Sequence, residues 1–224
     1  SAGPKAMDLP IFQIDAFTDA VFSGNPAAVC PLDSWLDTGV MQKIAAENNL
    51  AETAFFVANG DGYDLRWFTP TLEVELCGHA TLASAYVLFN LLDYKGDRIR
   101  FHTREGNLFV ERHADGELEM DFPSKMPIKC EAPAKLFEAL GVEAVDVFSN
   151  EDYVVLLASE TAVRQVRPDF KLMAEIDTRG ILVTAPGDEV DFVSRFFAPR
   201  FGIDEDPVTG SAHCVLTPFW AERL

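Results

Sequence analysis

The chain has 224 residues and a formal net charge of −18, from 36 acidic and 18 basic side chains. That length suits one large or two small domains, and 48% hydrophobic residues supply a core that a disordered acidic tail would lack. A sequence pI near 4.4, with no lysine or arginine cluster, excludes nucleic acid and disfavours an anionic membrane surface.

The longest apolar run, Ala80 to Leu92, is short of the roughly 20 residues a membrane span needs, and no membrane role is expected. Ser1-Ala2-Gly3 reads as a cloning remnant rather than a secretory signal. Cys30, Cys77, Cys130 and Cys214 form no CxxC, which favours a reduced, cytoplasmic setting. His79, His102, His113 and His213 show no zinc-type spacing, so no metal is expected.

In chain order, Leu9 to Phe17 reads as a strand and Ala27 to Cys30 as another, after the Ser23-Gly24-Asn25-Pro26 turn. Asp37 to Asn48 has helical periodicity. Thr53 to Ala58 and Tyr63 to Phe68 flank a turn at Asn59 to Gly62, and further strands are expected at Arg98 to Thr103, Leu108 to His113 and Glu117 to Phe122. From Gly78 to Leu92 the chain is apolar on every helical face and must be enclosed, most simply by a curled sheet wrapped around it. Pro123 to Pro133 reads as the linker between a first domain, residues 8–124, and a second, residues 125–224.

The second half echoes the first. Arg66-Trp67-Phe68-Thr69-Pro70 returns 129 residues later as Arg195-Phe196-Phe197-Ala198-Pro199, each followed by an acidic loop and then by Gly78-His79-Ala80 or Gly210-Ser211-Ala212. That order points to duplication. The first half runs 44 residues from Gly78 to Phe122, the second only 14 from Gly210 to Leu224. Roughly 30 residues, about three strands, are then lacking from the second domain unless this half closes differently; lost strands would leave its helix uncovered, to be covered by a partner or an absent segment.

Three segments carry candidate chemistry. Glu52 stands where the helix passes into the next strand, a place where partial burial makes a carboxylate a useful acid or base; the alternative is a solvated helix end. Glu47, earlier in the helix, is the rival and reads as surface. Cys77-Gly78-His79-Ala80 offers helix-start amides to an anion, a histidine, and a cysteine that is either a thiolate base or a small buried hydrophobe. Asp206-Pro207-Val208-Thr209-Gly210-Ser211 repeats the nest with its own carboxylate, and His213 follows, read as a core histidine or a site residue. Two such helix starts facing each other, with Glu52 and Asp206 between them, would pin a small carboxylate beside an acid and suit isomerisation without a cofactor.

At these residues the chain resembles the phenazine-biosynthesis PhzF-like family, related in fold to diaminopimelate epimerase. The marks are Asp15-Ala16-Phe17-Thr18, Phe22-Ser23-Gly24-Asn25-Pro26-Ala27-Ala28-Val29, Asn49-Leu50-Ala51-Glu52-Thr53, Arg66-Trp67-Phe68-Thr69-Pro70, Cys77-Gly78-His79-Ala80 and Asp206-Pro207-Val208-Thr209-Gly210-Ser211-Ala212. The resemblance implies an α+β chain of two pseudo-symmetric domains, each a β-barrel-like sheet around a central helix, forming a homodimer without metal or organic cofactor. It also implies Glu52, His79 and Asp206 as catalytic residues, with Gly78, Ala80, Gly210 and Ser211 binding substrate. In the phenazine enzyme that glutamate moves a proton along trans-2,3-dihydro-3-hydroxyanthranilate. Two readings compete: a racemase or epimerase using Cys77, although the region where a second thiol is wanted reads Asp206-Pro207-Val208-Thr209 and Cys214 lies one turn inside the helix, and a non-catalytic scaffold retaining the fold.

Overall fold

The computed structural model describes residues 8–224; the Ser1-Ala2-Gly3 stretch lies outside them. It divides into two compact units, one running to Asp121 and the other spanning Phe122–Leu224.

The first unit holds strands β1 (Phe12–Ala16) and β2 (Asn25–Leu32), helix α1 (Thr38–Asn48), and strands β3 (Glu52–Asn59), β4 (Gly62–Phe68) and β5 (Glu73–Val74). Helix α2 (Gly78–Tyr86) follows and runs into a π-helical turn at Val87–Leu91, then strands β6 (Arg98–Thr103), β7 (Gly106–Arg112) and β8 (Leu118–Asp121). One eight-stranded sheet runs β1-β2-β3-β4-β6-β7-β8, with β5 paired to β4. Helix α2 touches β1, β2 and β3 at one end of that order and β8 at the other. The sheet therefore curls around it. An α2 with seven buried residues out of nine needs such an enclosure, because its small side chains let strands approach on all sides.

Helix α1 lies on the opposite face. Its Met41 and Ala45 are buried with Cys30, Leu32, Phe55 and Phe68, the alternate residues of β2, β3 and β4. Asp37 starts this helix by accepting a hydrogen bond from the Gly39 amide at 2.8 Å, and Asn49 ends it in the left-handed conformation, φ 52°.

The second unit contains β9 (Ile128–Lys129), α3 (Ala134–Leu140), β10 (Asp146–Ser149), β11 (Tyr153–Leu156), α4 (Glu160–Gln165), α5 (Phe170–Ala174) and β12 (Ile181–Pro186). Next come β13 (Phe192–Ala198), a 3-10 turn at Pro199–Phe201, β14 (Ile203–Asp206) and α6 (Gly210–Ala221). Its six strands run β14-β13-β12-β11-β10-β9. Val155, Val183 and Phe197 face the core with α3, α4 and α5, whereas Val154, Leu182 and Phe196 face α6. Strands covered on both faces become continuously apolar, as Ile181-Leu182-Val183 shows.

Two expectations need correcting. The segment read as a linker, Pro123 to Pro133, contributes β9, hydrogen-bonded into the second sheet opposite β10. Helix α6 is not left bare: Ala212, Val215, Leu216, Phe219 and Trp220 are buried against Phe148, Val154 and Leu182. Trp220 donates its indole N–H to Thr184 Oγ1 at 3.0 Å, and that hydroxyl donates to the Val193 carbonyl, so the polar atoms beneath the helix are satisfied. Among the described residues no helix is long and apolar enough to cross a membrane.

The repeat seen in the sequence is structural. In β4, Arg66 grips Glu73 with two hydrogen bonds, of 2.7 and 2.8 Å, and in β13 Arg195 grips Glu205 with the same two lengths. Each guanidinium also lies over a phenylalanine two residues on, Phe68 or Phe197. Each glutamate precedes its helix-start glycine by five residues. Two pseudo-symmetric sheet domains result, the first closed round its helix and the second open.

Candidate active site

Glu52 is delivered by a short junction. Helix α1 ends at Asn48, Asn49 reverses the chain, and Asn48 Nδ2 donates to Thr53 Oγ1 at 3.2 Å, pinning the start of β3. As the first residue of that strand, Glu52 shares a face with Ala54 and Phe56, opposite the face that Phe55 presents to α1. Its side chain is 12% exposed and sets Oε2 3.3 Å from Nε2 of His79. The solvated-helix-end reading therefore fails for Glu52, whereas the rival Glu47 is exposed, as expected.

His79 sits in the first turn of α2 and is only 3% exposed. Burial lowers its pKa to about 4, partly offset by a hydrogen bond to the Pro26 backbone. The ring is neutral at ordinary pH and carries one N–H. On its other side Nδ1 lies 3.5 Å from the Cys77 sulfur. Cys77 is buried at the N-cap of α2 and does not cap the helix with its side chain. The amides of Gly78, His79 and Ala80 open this helix, where no intrahelical acceptor exists for them.

Glu52, Cys77 and His79 each offer one donor atom, all within 4.8 Å of one another. Carboxylate, thiolate and imidazole together suit a soft divalent cation as well as proton transfer. Spacing of histidines and cysteines along the chain could not foresee this group, because its carboxylate arrives from another element.

In the second unit Asp206 ends β14, half-buried, and its Oδ2 accepts a 2.6 Å hydrogen bond from the Thr209 hydroxyl. Thr209 is the N-cap of α6 and, like Cys77, makes no side-chain cap bond. Gly210 and Ser211 open the helix, both buried. Asp206, Thr209, Arg195 and His213 line a cavity of about 180 Å³. His213 is no core residue: it is exposed, its ring packed at 6.1 Å from Phe192 and its Nδ1 3.1 Å from the Thr209 carbonyl. Arg195 and the Thr209–Asp206 bond were not anticipated as site features, although a threonine three residues after an aspartate is a local hydrogen-bonding signal.

A family model described as phenazine biosynthesis-like protein, PhzC-PhzF, matches residues 14–224. The chain belongs to this family. It is 53% identical over 218 residues to an uncharacterized isomerase of Pseudomonas aeruginosa, a match covering 97% of this chain and 84% of the relative. It is 40% identical over 246 residues to the human phenazine biosynthesis-like domain-containing protein, covering 97% and 85%. The crystal structure of an Enterococcus faecalis PhzF-family protein superposes with a TM-score of 0.90 at 45% identity, covering 97% of this chain and 84% of that one.

Membership places the chain in the diaminopimelate-epimerase-like superfamily. It is an enzyme of the PhzF-like isomerase type, which works by cofactor-independent acid/base chemistry on a small carboxylate substrate.

Proposed function

We propose that Glu52 is the group that takes a proton from one carbon of a small carboxylate-bearing substrate and returns it to another. The observation that carries this reading is the Glu52–His79 contact at 3.3 Å, with both side chains sheltered from bulk water. Sheltering keeps solvent from trapping the carbanion while the proton is held. In this reading His79 orients the carboxyl, and the Gly78 and Ala80 amides hold the substrate anion at the start of α2. Asp206, fixed by the Thr209 hydroxyl, and the Gly210 and Ser211 amides supply the equivalent holding groups of the second unit. Backbone amides bind an anion without a local lysine, so a chain of net charge −18 can still do so.

A homodimer and a cytoplasmic setting belong to the same proposal. The first rests on family likeness and is read by light scattering; the second is supported by four cysteines present as free thiols.

The direct test follows deuterium from D₂O into a panel of small cyclic and amino carboxylates, comparing the natural protein with Glu52→Gln. Label entering one compound, and lost in the variant, is the expected result. Equal labelling by both proteins would overturn the assignment and turn attention to Cys77.

A further inference from the structure

The N-cap residues of the two central helices behave unusually, and alike. A helix start normally finds, in the side chain of its N-cap residue, an acceptor for one of its free amides. Neither Cys77 nor Thr209 supplies one. Thr209 gives its hydroxyl to Asp206 at 2.6 Å, and Cys77 sets its sulfur 3.5 Å from Nδ1 of His79. In each unit the residue before the glycine has turned from its helix to a neighbouring polar side chain.

We propose that Cys77 is a positioning residue: its thiol donates to Nδ1 of His79 and thereby selects the imidazole tautomer that carries its proton on Nε2, the nitrogen 3.3 Å from the Glu52 carboxyl. The inference deepens the reading of Glu52 as acid/base group and rests on it. Three facts lead there. A neutral imidazole has a single N–H, so whichever nitrogen carries it leaves the other as an acceptor. Nε2 stands 3.3 Å from Glu52 Oε2, and in the base form of Glu52 that oxygen is an acceptor only, so a bare Nε2 lone pair beside it would be repelled. Nδ1 must then accept, and the group the structure sets against it is a thiol, a weak donor sheltered from water as the ring is.

The thiol is well held for this task. Cys77 has extended backbone, φ −145° and ψ 113°, and its carbonyl accepts both the Thr81 hydroxyl at 2.6 Å and the Thr81 amide at 3.3 Å. Pro26, whose backbone also bonds the imidazole, directly precedes Ala27, the register partner of Glu52 across β2 and β3.

The test is a long-range proton–nitrogen correlation spectrum of protein labelled with ¹⁵N-histidine, near neutral pH and without ligand, the His79 signals being assigned with His79→Asn. The natural protein is expected to show the Nε2–H form with Nδ1 as a bonded acceptor. Cys77→Ser, which keeps a donor, is expected to show the same form. In Cys77→Ala the Nδ1 resonance is expected to shift and the Nδ1–H tautomer to become populated. A proton on Nδ1 in the natural protein, or a Cys77→Ala spectrum identical to it, would overturn the proposal. Should the alanine variant not fold, the natural and serine spectra still decide, since an Nδ1–H form in either is contrary. The spectrum needs no substrate, so failure of the Glu52 exchange assay is read separately from failure here.

Discussion

The stretch from Arg66 to Ala85 and the stretch from Arg195 to Trp220 are built to one plan, yet they differ in what stands opposite the helix start. Register makes the comparison exact to the residue. Phe55 pairs with Arg66 in the first unit and Val183 with Arg195 in the second, so Glu52 corresponds to Gly180. At Gly180 a side chain has no room: an added Cβ would lie 2.3 Å from the Phe196 ring and 3.1 Å from Asp152 Oδ1. Likewise Cys77 corresponds to Thr209 and His79 to Ser211. Duplication has therefore kept two helix-start nests and two arginine–glutamate clamps, but only one strand-start carboxylate beside a buried imidazole. A symmetric scaffold thus carries different side chains at its two helix starts; in the proposed function Glu52 moves the proton and the groups around Asp206 only hold. The same correspondence weakens a two-thiol racemase, since a threonine stands at the second thiol's place.

This comparison can be broken in several ways, and the largest effect is expected at Glu52. Glu52→Gln keeps the shape and removes the titrating group, and should lower turnover by about 10²- to 10⁴-fold while leaving thermal stability nearly unchanged. A Gln variant with full turnover would place the chemistry elsewhere. Next is the buried ion pair of the second unit. The Asp152 side chain is fully buried and takes Nε of Arg179 at 2.9 Å together with a second guanidinium nitrogen. Asp152→Ala removes the partner of a guanidinium that is itself 31% exposed and should cost about 1.5–3 kcal/mol in denaturant unfolding.

His79 gives the first unit a pH signature that Ser211 cannot give the second. Its folded pKa, about 4, lies below the 6.5 of a free imidazole, so the unfolded chain binds the proton more tightly between those two values. Stability is then complete above about pH 6.5 and falls as pH drops toward 4, by on the order of 3 kcal/mol. Urea titrations of the natural protein and His79→Gln should diverge in that window, with the shallower slope in the variant. Smaller again are the clamps. Arg66→Ala and Arg195→Ala each break a partly exposed bidentate pair and should cost about 1–2 kcal/mol, measured by thermal melts. Arg66→Ala should also slow turnover, because β5 leads directly to the start of α2. The smallest effect belongs to Glu47→Gln, an exposed change expected to stay within about 0.5 kcal/mol and to leave activity alone.

Much of the first unit was legible in the sequence because its signals are local. Asp37 caps α1, the apolar run after Gly78 demands enclosure, and Arg98 to Thr103 is a strand to the residue. The echoed arginine segments and glycine starts also told of two related halves. Helices α3, α4 and α5 were missed. At five to seven residues they are too short to show a helical period, although Ser159 and Asp169 do cap α4 and α5 with their side chains. Without them the second sheet had no cover on one face, and β9 was read as linker.

The site shows the same division. Glu52, His79, Cys77 and Asp206 were each identifiable from their motifs, but the Cys77–His79–Glu52 contact joins elements 25 residues apart in sequence and exists only because α2 packs against β3. The clamp of Arg66 on Glu73 was hidden for a like reason: a strand pairing, not a spacing, turns an acidic loop into a fixed partner.

The central claim is that Glu52 moves the proton and that Asp206 acts only in holding substrate. Solvent deuterium exchange measured side by side for Glu52→Gln and Asp206→Asn tests it most directly. The account predicts that exchange is lost in Glu52→Gln at any substrate concentration, and that Asp206→Asn raises the concentration needed while still exchanging. Exchange surviving in Glu52→Gln and abolished at saturation in Asp206→Asn would reverse the assignment of the two carboxyl groups.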